Sequence, residues 1–228
     1  MLRKNESVPG RAKAIFLDRD GVINELVYYP DLGLVDSPCR VNDFHIIKGV
    51  PAAIRAFNKL GFKVIVITNQ PGIAKGRFDE KMLQSINRKM ERLLNAGGAR
   101  LDAVYQCLHH PEGSRWGEKK YIRKCACRKP LPGMFFNAAA EHNIDLASSY
   151  MVGDDIGDVE ASLRAGVKPV FLGNMRCGIC RLMTKKKTAP GFIFRDLAGF
   201  ASYIKGIIPR SENMLPGILR QQKRKIRR

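Results

Sequence analysis

Short, mostly apolar runs along this chain alternate with longer stretches in which apolar residues recur every third or fourth position. The runs lie at residues 14–17, 62–68, 101–107, 150–153 and 169–172. They lack strict apolar–polar alternation, so they predict strands covered on both faces, as in a parallel sheet. Between them, Val50, Ala53, Ile54, Phe57 and Leu60 keep helical spacing. Met82, Ile86, Met90 and Leu93 predict a second helix over about 79–95, and further helices are expected near 133–142 and 157–165. Strand–helix alternation of this kind predicts an α/β, Rossmann-like fold with helices on both faces of the sheet. The longest interruptions, 28–43 and 111–124, leave no room for a large cap domain. The expected organisation is an N-terminal arm over 1–12, one domain over 13–205 and a basic tail over 206–228.

Chemistry-bearing residues gather where the apolar runs stop. The first run ends in Asp18-Arg19-Asp20-Gly21. In an extended chain Asp18 and Asp20 project to one side and Arg19 to the other, and Gly21 lets the backbone turn. Open α/β sheets hold ligands at the carboxyl ends of their strands. A lone Asp-x-Asp is more often a solvated strand end, so the other run ends decide. The second run ends in Thr68-Asn69-Gln70, a hydroxyl and two amides suited to phosphate oxygens. Arg128-Lys129-Pro130 adds a planar fork and a point charge for an anion. The run at 150–153 leads into Asp154-Asp155-Ile156-Gly157-Asp158, whose carboxylates beside Asp18 and Asp20 would suit Mg²⁺.

Taken in order, these four segments resemble the motifs of haloacid dehalogenase (HAD) superfamily phosphohydrolases, over roughly residues 13 to 172. The resemblance implies that Asp18 attacks phosphorus and becomes an aspartyl-phosphate. Asp20 would protonate the leaving oxygen and then activate water. Mg²⁺ would be held by the Asp18 carboxylate, the Asp20 backbone carbonyl and Asp154. Thr68 and Lys129 would balance the charge on the phosphoryl oxygens. For Asp155 and Asp158, support of the metal and plain capping of a helix predict the same residues.

Cys107-Leu-His109, then fifteen residues, then Cys125-Ala-Cys127 supplies three thiols and an imidazole, a standard tetrahedral zinc set. The bland alternative is reduced cysteines beside an ordinary surface histidine. The loop between the pairs is rich in charge and has little else to fold it, which favours zinc. With four protein ligands such a zinc has no open position and is structural. This segment closely resembles D-glycero-D-manno-heptose 1,7-bisphosphate 7-phosphatases. Histidinol-phosphate phosphatases share the ligands with a much shorter loop. The resemblance implies that Leu26, Val27, Tyr28, Tyr29 and Arg128 touch the sugar phosphate, with Asn69 and Gln70 as further contacts. The chain departs from that family in a longer 28–43 stretch, in Asp155 where a Lys is usual, and in Pro71 where a Ser is usual.

Composition adds two constraints. Hydrophobic residues make up 45% of the chain, which is ordinary for a globular protein. No apolar run reaches the length of a membrane span and the first thirteen residues lack a signal core, so a cytoplasmic enzyme, expected to be a monomer, is predicted. The formal charge is +19, and six of the nine residues over 220–228 are Lys or Arg. Such runs are usually solvated, although they can contact polyanions. Cys177 and Cys180 form a Cys-x-x-Cys without a second pair, and free thiols are the expectation there. The leading reading is therefore a Mg²⁺-dependent sugar-bisphosphate phosphatase with a structural zinc. Histidinol-phosphate phosphatase and nucleic-acid 3′-phosphatase are the alternatives.

Overall fold

A computed structural model describes residues 10–173 and 183–208. In chain order these form strand β1 (Ala14–Leu17), the hairpin β2 (Val27–Tyr29) and β3 (Leu34–Asp36), helix α1 (Val50–Lys59) and strand β4 (Lys63–Asn69). Helix α2 (Glu80–Ala96), strand β5 (Ala103–Cys107), helix α3 (Gly133–His142) and strand β6 (Tyr150–Gly153) follow. Helix α4 (Ile156–Ala165), strands β7 (Lys168–Leu172) and β8 (Phe192–Phe194), and helix α5 (Leu197–Ile207) complete the domain.

Six strands form one sheet in the order β5-β4-β1-β6-β7-β8, every pair parallel. The absence of alternation in the apolar runs now has its physical reason, because both faces are covered. Ile15, Leu17, Val64, Val66 and Val152 enter the core under α1, α2 and α5. Their neighbours Ala14, Phe16, Ile65, Ile67 and Met151 enter the core under α3 and α4. Full burial of each such aliphatic or aromatic side chain contributes about 1.5–3 kcal/mol. β1 lies at the centre of the sheet, so the residues that follow it emerge between β4 and β6.

Three features differ from the sequence expectation. The buried stripe of α2 is Leu83, Ile86, Met90 and Leu94, while Met82 and Leu93 pack only at its edge. The 28–43 stretch is not a plain loop, because its first part folds into the β2–β3 hairpin. A sixth strand, β8, and a last helix, α5, were not anticipated. β8 has only three residues, too few to establish a period, and α5 carries Gly199 and Gly206 within an otherwise regular stripe of Leu197, Phe200, Ala201 and Ile204. α5 runs past the tail boundary expected at 206. Among the described residues no helix is long and apolar enough to cross a membrane. Cys177, Cys180, the arm over 1–9 and the segment 209–228 lie outside the described residues.

Candidate active site

The end of β1 delivers Asp18 into a cluster built from four other chain segments. Asp18 Oδ1 accepts from the Arg19 amide at 2.8 Å and pairs with Lys129 Nζ at 3.0 Å. Lys129 also donates to the Ile67 carbonyl at 2.9 Å and to Asp158 Oδ1 at 2.5 Å, so all three of its protons have acceptors. Burial works against the Lys129 charge, but the Asp158 and Asp18 carboxylates outweigh it and push its pKa up. The ammonium therefore stays charged at the floor of the cluster.

Asp158 serves two neighbours at once. Its Oδ2 accepts from the Asp155 amide at 3.2 Å, and Asp155 caps α4 by accepting from the Gly157 amide at 2.6 Å. This reciprocal pairing is a capping box, and it assigns Asp155 to the helix end. Asp158 closes the cap, one of the two readings the sequence left open, and it also holds Lys129.

Asp18, Asp154 and Asp158 bring carboxylate oxygens within 4.8 Å of one another. Burial, then the charges of Asp18 and Asp158, raise the Asp154 pKa to about 8. Lys129 answers Asp158 and part of Asp18, which leaves the Asp18–Asp154 side of the trio under-compensated. Gly21 borders that side with φ +82°, and a Cβ there would stand 1.9 Å from Asp154 Oδ2. Crowded hard oxygens with unbalanced charge fit a small divalent cation such as Mg²⁺.

Asp20 faces a different set of partners from those expected. β1 ends at Leu17, so strand alternation does not extend to residues 18–20, and Arg19 does not point away from Asp20. The fully buried Arg19 guanidinium folds onto the Asp20 carboxylate, with Nε at 3.2 Å and Nη2 at 3.1 Å. Its other donors reach Gln70 Oε1 at 2.8 Å and Asn87 Oδ1 on α2 at 3.2 Å. Asn24 Nδ2 and Gln70 Nε2 complete the shell at 2.9 and 2.6 Å. Burial acts to raise the Asp20 pKa, but Arg19, with hydrogen bonds from Asn24, Gln70 and Ser37, holds it below the usual carboxylate range.

The expected phosphate-facing amides are taken up by the protein itself. Gln70 Nε2 donates to Thr68 Oγ1 at 3.0 Å as well as to Asp20. The Asn69 side chain clamps the Lys129 backbone, donating to its carbonyl and accepting from its amide, both at 3.0 Å. Asn69 and Gln70 are thus tied to site residues rather than turned outward. Thr68 is buried beside them.

On the outer side of the cluster, Leu26 and Tyr28 are exposed, and Val27 begins the hairpin. Tyr29 holds that hairpin, its hydroxyl donating to the Ser37 carbonyl at 3.0 Å and accepting from the Cys39 amide at 2.8 Å. Leu26 also borders a cavity of about 420 Å³ that reaches Gly21 and Asp154. Arg128 is half-buried and donates to the His109 carbonyl at 3.4 Å.

The predicted thiol–imidazole set is brought together. Cys107, Cys125 and Cys127 hold their sulfurs 3.0, 3.3 and 3.5 Å apart, and His109 Nδ1 lies 3.4 Å from Cys127 Sγ and 3.8 Å from Cys107 Sγ. Metal–sulfur bonds of about 2.3 Å give a tetrahedron edges of about 3.8 Å; the His109 edges come close to this, and the sulfur–sulfur edges are shorter. No disulfide joins these cysteines. The donor set therefore fits zinc. The loop between the pairs has a second attachment: Ser114 and Glu118 amides donate to the Ala74 and Ile73 carbonyls at 3.0 and 3.2 Å. The backbones approach so closely that a Cβ at Gly117 would lie 1.8 Å from the Ala74 carbonyl oxygen.

Residues 126–200 match the HAD-hydrolase-like family. Over 200 residues the chain is 43% identical to a D-glycero-β-D-manno-heptose-1,7-bisphosphate 7-phosphatase of Escherichia coli (strain CFT073), spanning 88% of this chain and 96% of that one. It is 44% identical over 162 residues to the phosphatase of the same name from Yersinia pestis, spanning 71% and 78% of the two chains. This chain belongs to that family of HAD phosphatases. A solved family structure, the D,D-heptose 1,7-bisphosphate phosphatase of B. bronchiseptica with magnesium and phosphate, superposes with a TM-score of 0.69 at 32% identity, covering 86% of this chain and 99% of the other. One further residue stands out only in three dimensions: Arg19 and its ring of partners left no local signal in the sequence.

Proposed function

We propose that this HAD phosphatase removes one phosphate from a phosphorylated sugar, D-glycero-D-manno-heptose 1,7-bisphosphate, through an aspartyl-phosphate on Asp18. The observation that carries this reading is the pairing of a partly exposed Asp18 with a fully committed Lys129 at 3.0 Å, its side chain 14% accessible against 4% for the lysine. A nucleophile must meet substrate, and the charge that stabilises the transferring group must already be fixed in place. Asp18 attacks phosphorus, while Asp20, ionised in the free protein by Arg19 and its amide donors, takes up a proton as substrate binds, gives it to the leaving oxygen and later takes one from the hydrolytic water. Arg19, Gln70 and Asn24 orient Asp20 for both transfers. Lys129 and Thr68 stabilise the charge that spreads over the phosphoryl oxygens.

Magnesium, held by the Asp18 and Asp154 carboxylates and the Asp20 backbone carbonyl, supplies the remaining neutralisation of phosphate charge. Zinc on Cys107, His109, Cys125 and Cys127 holds the loop that leads into Arg128 and Lys129. Arg128 and the segment Leu26, Val27, Tyr28 and Tyr29 then contact the sugar phosphate. The reading includes a monomeric, cytoplasmic enzyme, in keeping with cysteines that are not joined in disulfides.

The test is phosphate release from heptose 1,7-bisphosphate, histidinol phosphate and a 3′-phosphorylated oligonucleotide under one set of conditions. The expected result is fastest release from the heptose, stopping after one phosphate per molecule. Preference for histidinol phosphate or for the oligonucleotide would replace the proposed substrate with that one.

A further inference from the structure

The acidic centre opens on one flank into the cavity of about 420 Å³ that Leu26 borders, a volume typical of small-molecule sites. Gly21 and Asp154 form its near wall. Its far wall lies where β7 and β8 end and where α1 and α5 begin. Arg195 follows the last residue of β8, and Lys48 stands two positions before α1. The leading ends of the two helices meet here, since a Cβ at Gly49 would lie 4.0 Å from the Ala198 Cβ. That packing brings Lys48 and Arg195 to one cavity although they are far apart in the chain. Val22, Ile47 and Val50 add apolar wall between them and the acidic centre.

Lys48 and Arg195 are exposed, and among the described residues neither pairs with a carboxylate. The cations at the acidic centre are already committed, Lys129 to its three acceptors and Arg19 to Asp20, Gln70 and Asn87. Three acids also line the cavity, and two of them have other partners. Asp196 caps α5 by accepting from the Gly199 amide at 2.8 Å, and Asp154 belongs to the trio that suits a divalent cation. The third, Glu25, offers an acceptor for hydroxyl groups. The cavity therefore combines unpaired cations, a hydroxyl acceptor and an apolar wall, which are the three needs of a phosphorylated sugar.

We propose that Arg195 and Lys48 bind the second phosphate of the sugar bisphosphate, the one that is not cleaved, and so set a preference for a doubly phosphorylated substrate. This rests on the sugar-bisphosphate reading above and deepens it by naming specificity-determining residues. The two phosphates of a 1,7-bisphosphate lie at opposite ends of the sugar. While the 7-phosphate faces Asp18, the 1-phosphate must reach beyond the acidic centre, and this cavity leads from Asp154 to two free cations. Arg195 supplies a planar fork for two phosphate oxygens and Lys48 a point charge. A 1-phosphate held there stays clear of Asp18, which limits the reaction to one phosphate per molecule.

Steady-state kinetics of the full chain test this, with heptose 1,7-bisphosphate compared against heptose 7-phosphate, which lacks only the second phosphate. Wild-type enzyme should prefer the bisphosphate in kcat/KM, chiefly through a lower KM. Arg195→Gln should reduce that preference about tenfold, the scale of one charge-assisted hydrogen bond. Lys48→Gln should reduce it by less, and Arg195→Lys should recover part of what Arg195→Gln loses, because the charge returns without the fork. Both side chains are exposed, so the melting temperature should hold in each variant. Equal kcat/KM for the two substrates in the wild type overturns the proposal, as does a preference untouched by both Arg195→Gln and Lys48→Gln. Loss of the preference in Arg128→Gln alone would also overturn it and move the second phosphate to the zinc-loop side. Wild-type enzyme that hydrolyses neither heptose would remove the substrate reading and this site together. Hydrolysis of the bisphosphate with the preference intact in the variants would remove the site alone.

Discussion

Lys129 lies two positions after Cys127, yet the acidic centre and the thiol–imidazole set are supported in different ways. The acidic centre draws on the ends of β1, β4 and β6 and the first turn of α4, all seated on the central strands of the sheet. Its cation, Lys129, has three acceptors within 3.0 Å. The thiol–imidazole set has one ligand, Cys107, anchored in an edge strand, and three on loop segments. The sheet therefore fixes the first cluster before any metal binds. With three ligands on loops, the second would rely on a bound zinc for its order, with help from the backbone contacts of Ser114 and Glu118. In the proposed mechanism the sheet-seated site performs the chemistry and the zinc set shapes its border.

The largest effect should come from Asp18→Asn. An amide cannot act as the nucleophile, and loss of one member of a catalytic unit costs about 10⁴- to 10⁶-fold in turnover. The substitution removes a negative charge facing Asp154, so the melting temperature should hold or rise. Near wild-type turnover from folded Asp18→Asn protein would remove the proposed mechanism.

Lys129→Met should damage stability as well as activity. Methionine fills similar space but leaves Asp158 and Asp18 without their shared cation. Breaking a buried pair in this way costs about 3–5 kcal/mol. In a chain of this size that corresponds to a fall of roughly 6–20 °C in melting temperature. A variant that loses activity but melts normally would mean that the sheet-seated centre does not depend on this lysine.

Removing magnesium should matter more as pH rises. The folded Asp154 has its pKa raised to about 8, against ~3.9 in an unfolded chain. Between those values the folded state binds the additional proton. The stability linked to it is therefore full at low pH and is lost as pH climbs from about 4 through about 8. Metal-free protein should melt lower at pH 8 than at pH 6, and added Mg²⁺ should narrow the gap. If Mg²⁺ leaves the gap unchanged, the acidic trio is not its origin.

Cys125→Ser tests the other half of the comparison. With one ligand lost, metal analysis should show less than one zinc per chain, and amide exchange should quicken over 108–127. Melting should fall by less than in Lys129→Met, because Cys125 only borders the core under α3 and α4 and the loop keeps its bonds to Ala74 and Ile73. Faster exchange in the core strands than in the loop would reverse this assignment of roles.

How much of this was legible in the sequence follows from which interactions are local. The run ends at Asp18, Thr68, Lys129 and Asp154 and the four zinc candidates could be picked out because each motif is contiguous. Strand positions were legible for the same reason, whereas β8 was too short to show a period. The partners of Arg19, Asn69 and Gln70 were not legible. Gln70 reaches Asp20 across fifty residues and Asn69 reaches Lys129 across sixty, so only the packed sheet decides whether those amides face substrate or protein. Arg19 shows the same limit at short range, because alternation fails one residue past the last strand position.

Asn69→Ala is the smallest predicted effect and the sharpest test of that last point. As a clamp, Asn69 makes two hydrogen bonds at 3.0 Å to the Lys129 backbone. Each is worth about 1 kcal/mol net, so stability should fall by about 2 kcal/mol. Turnover should drop because Lys129 is less well held, while KM for the sugar phosphate changes little. A phosphate contact would give the opposite split, with KM raised and melting unchanged. Measuring both constants and the melting temperature on one preparation separates the two roles, and the two hydrogen bonds from the Asn69 amide to the Lys129 backbone favour the first.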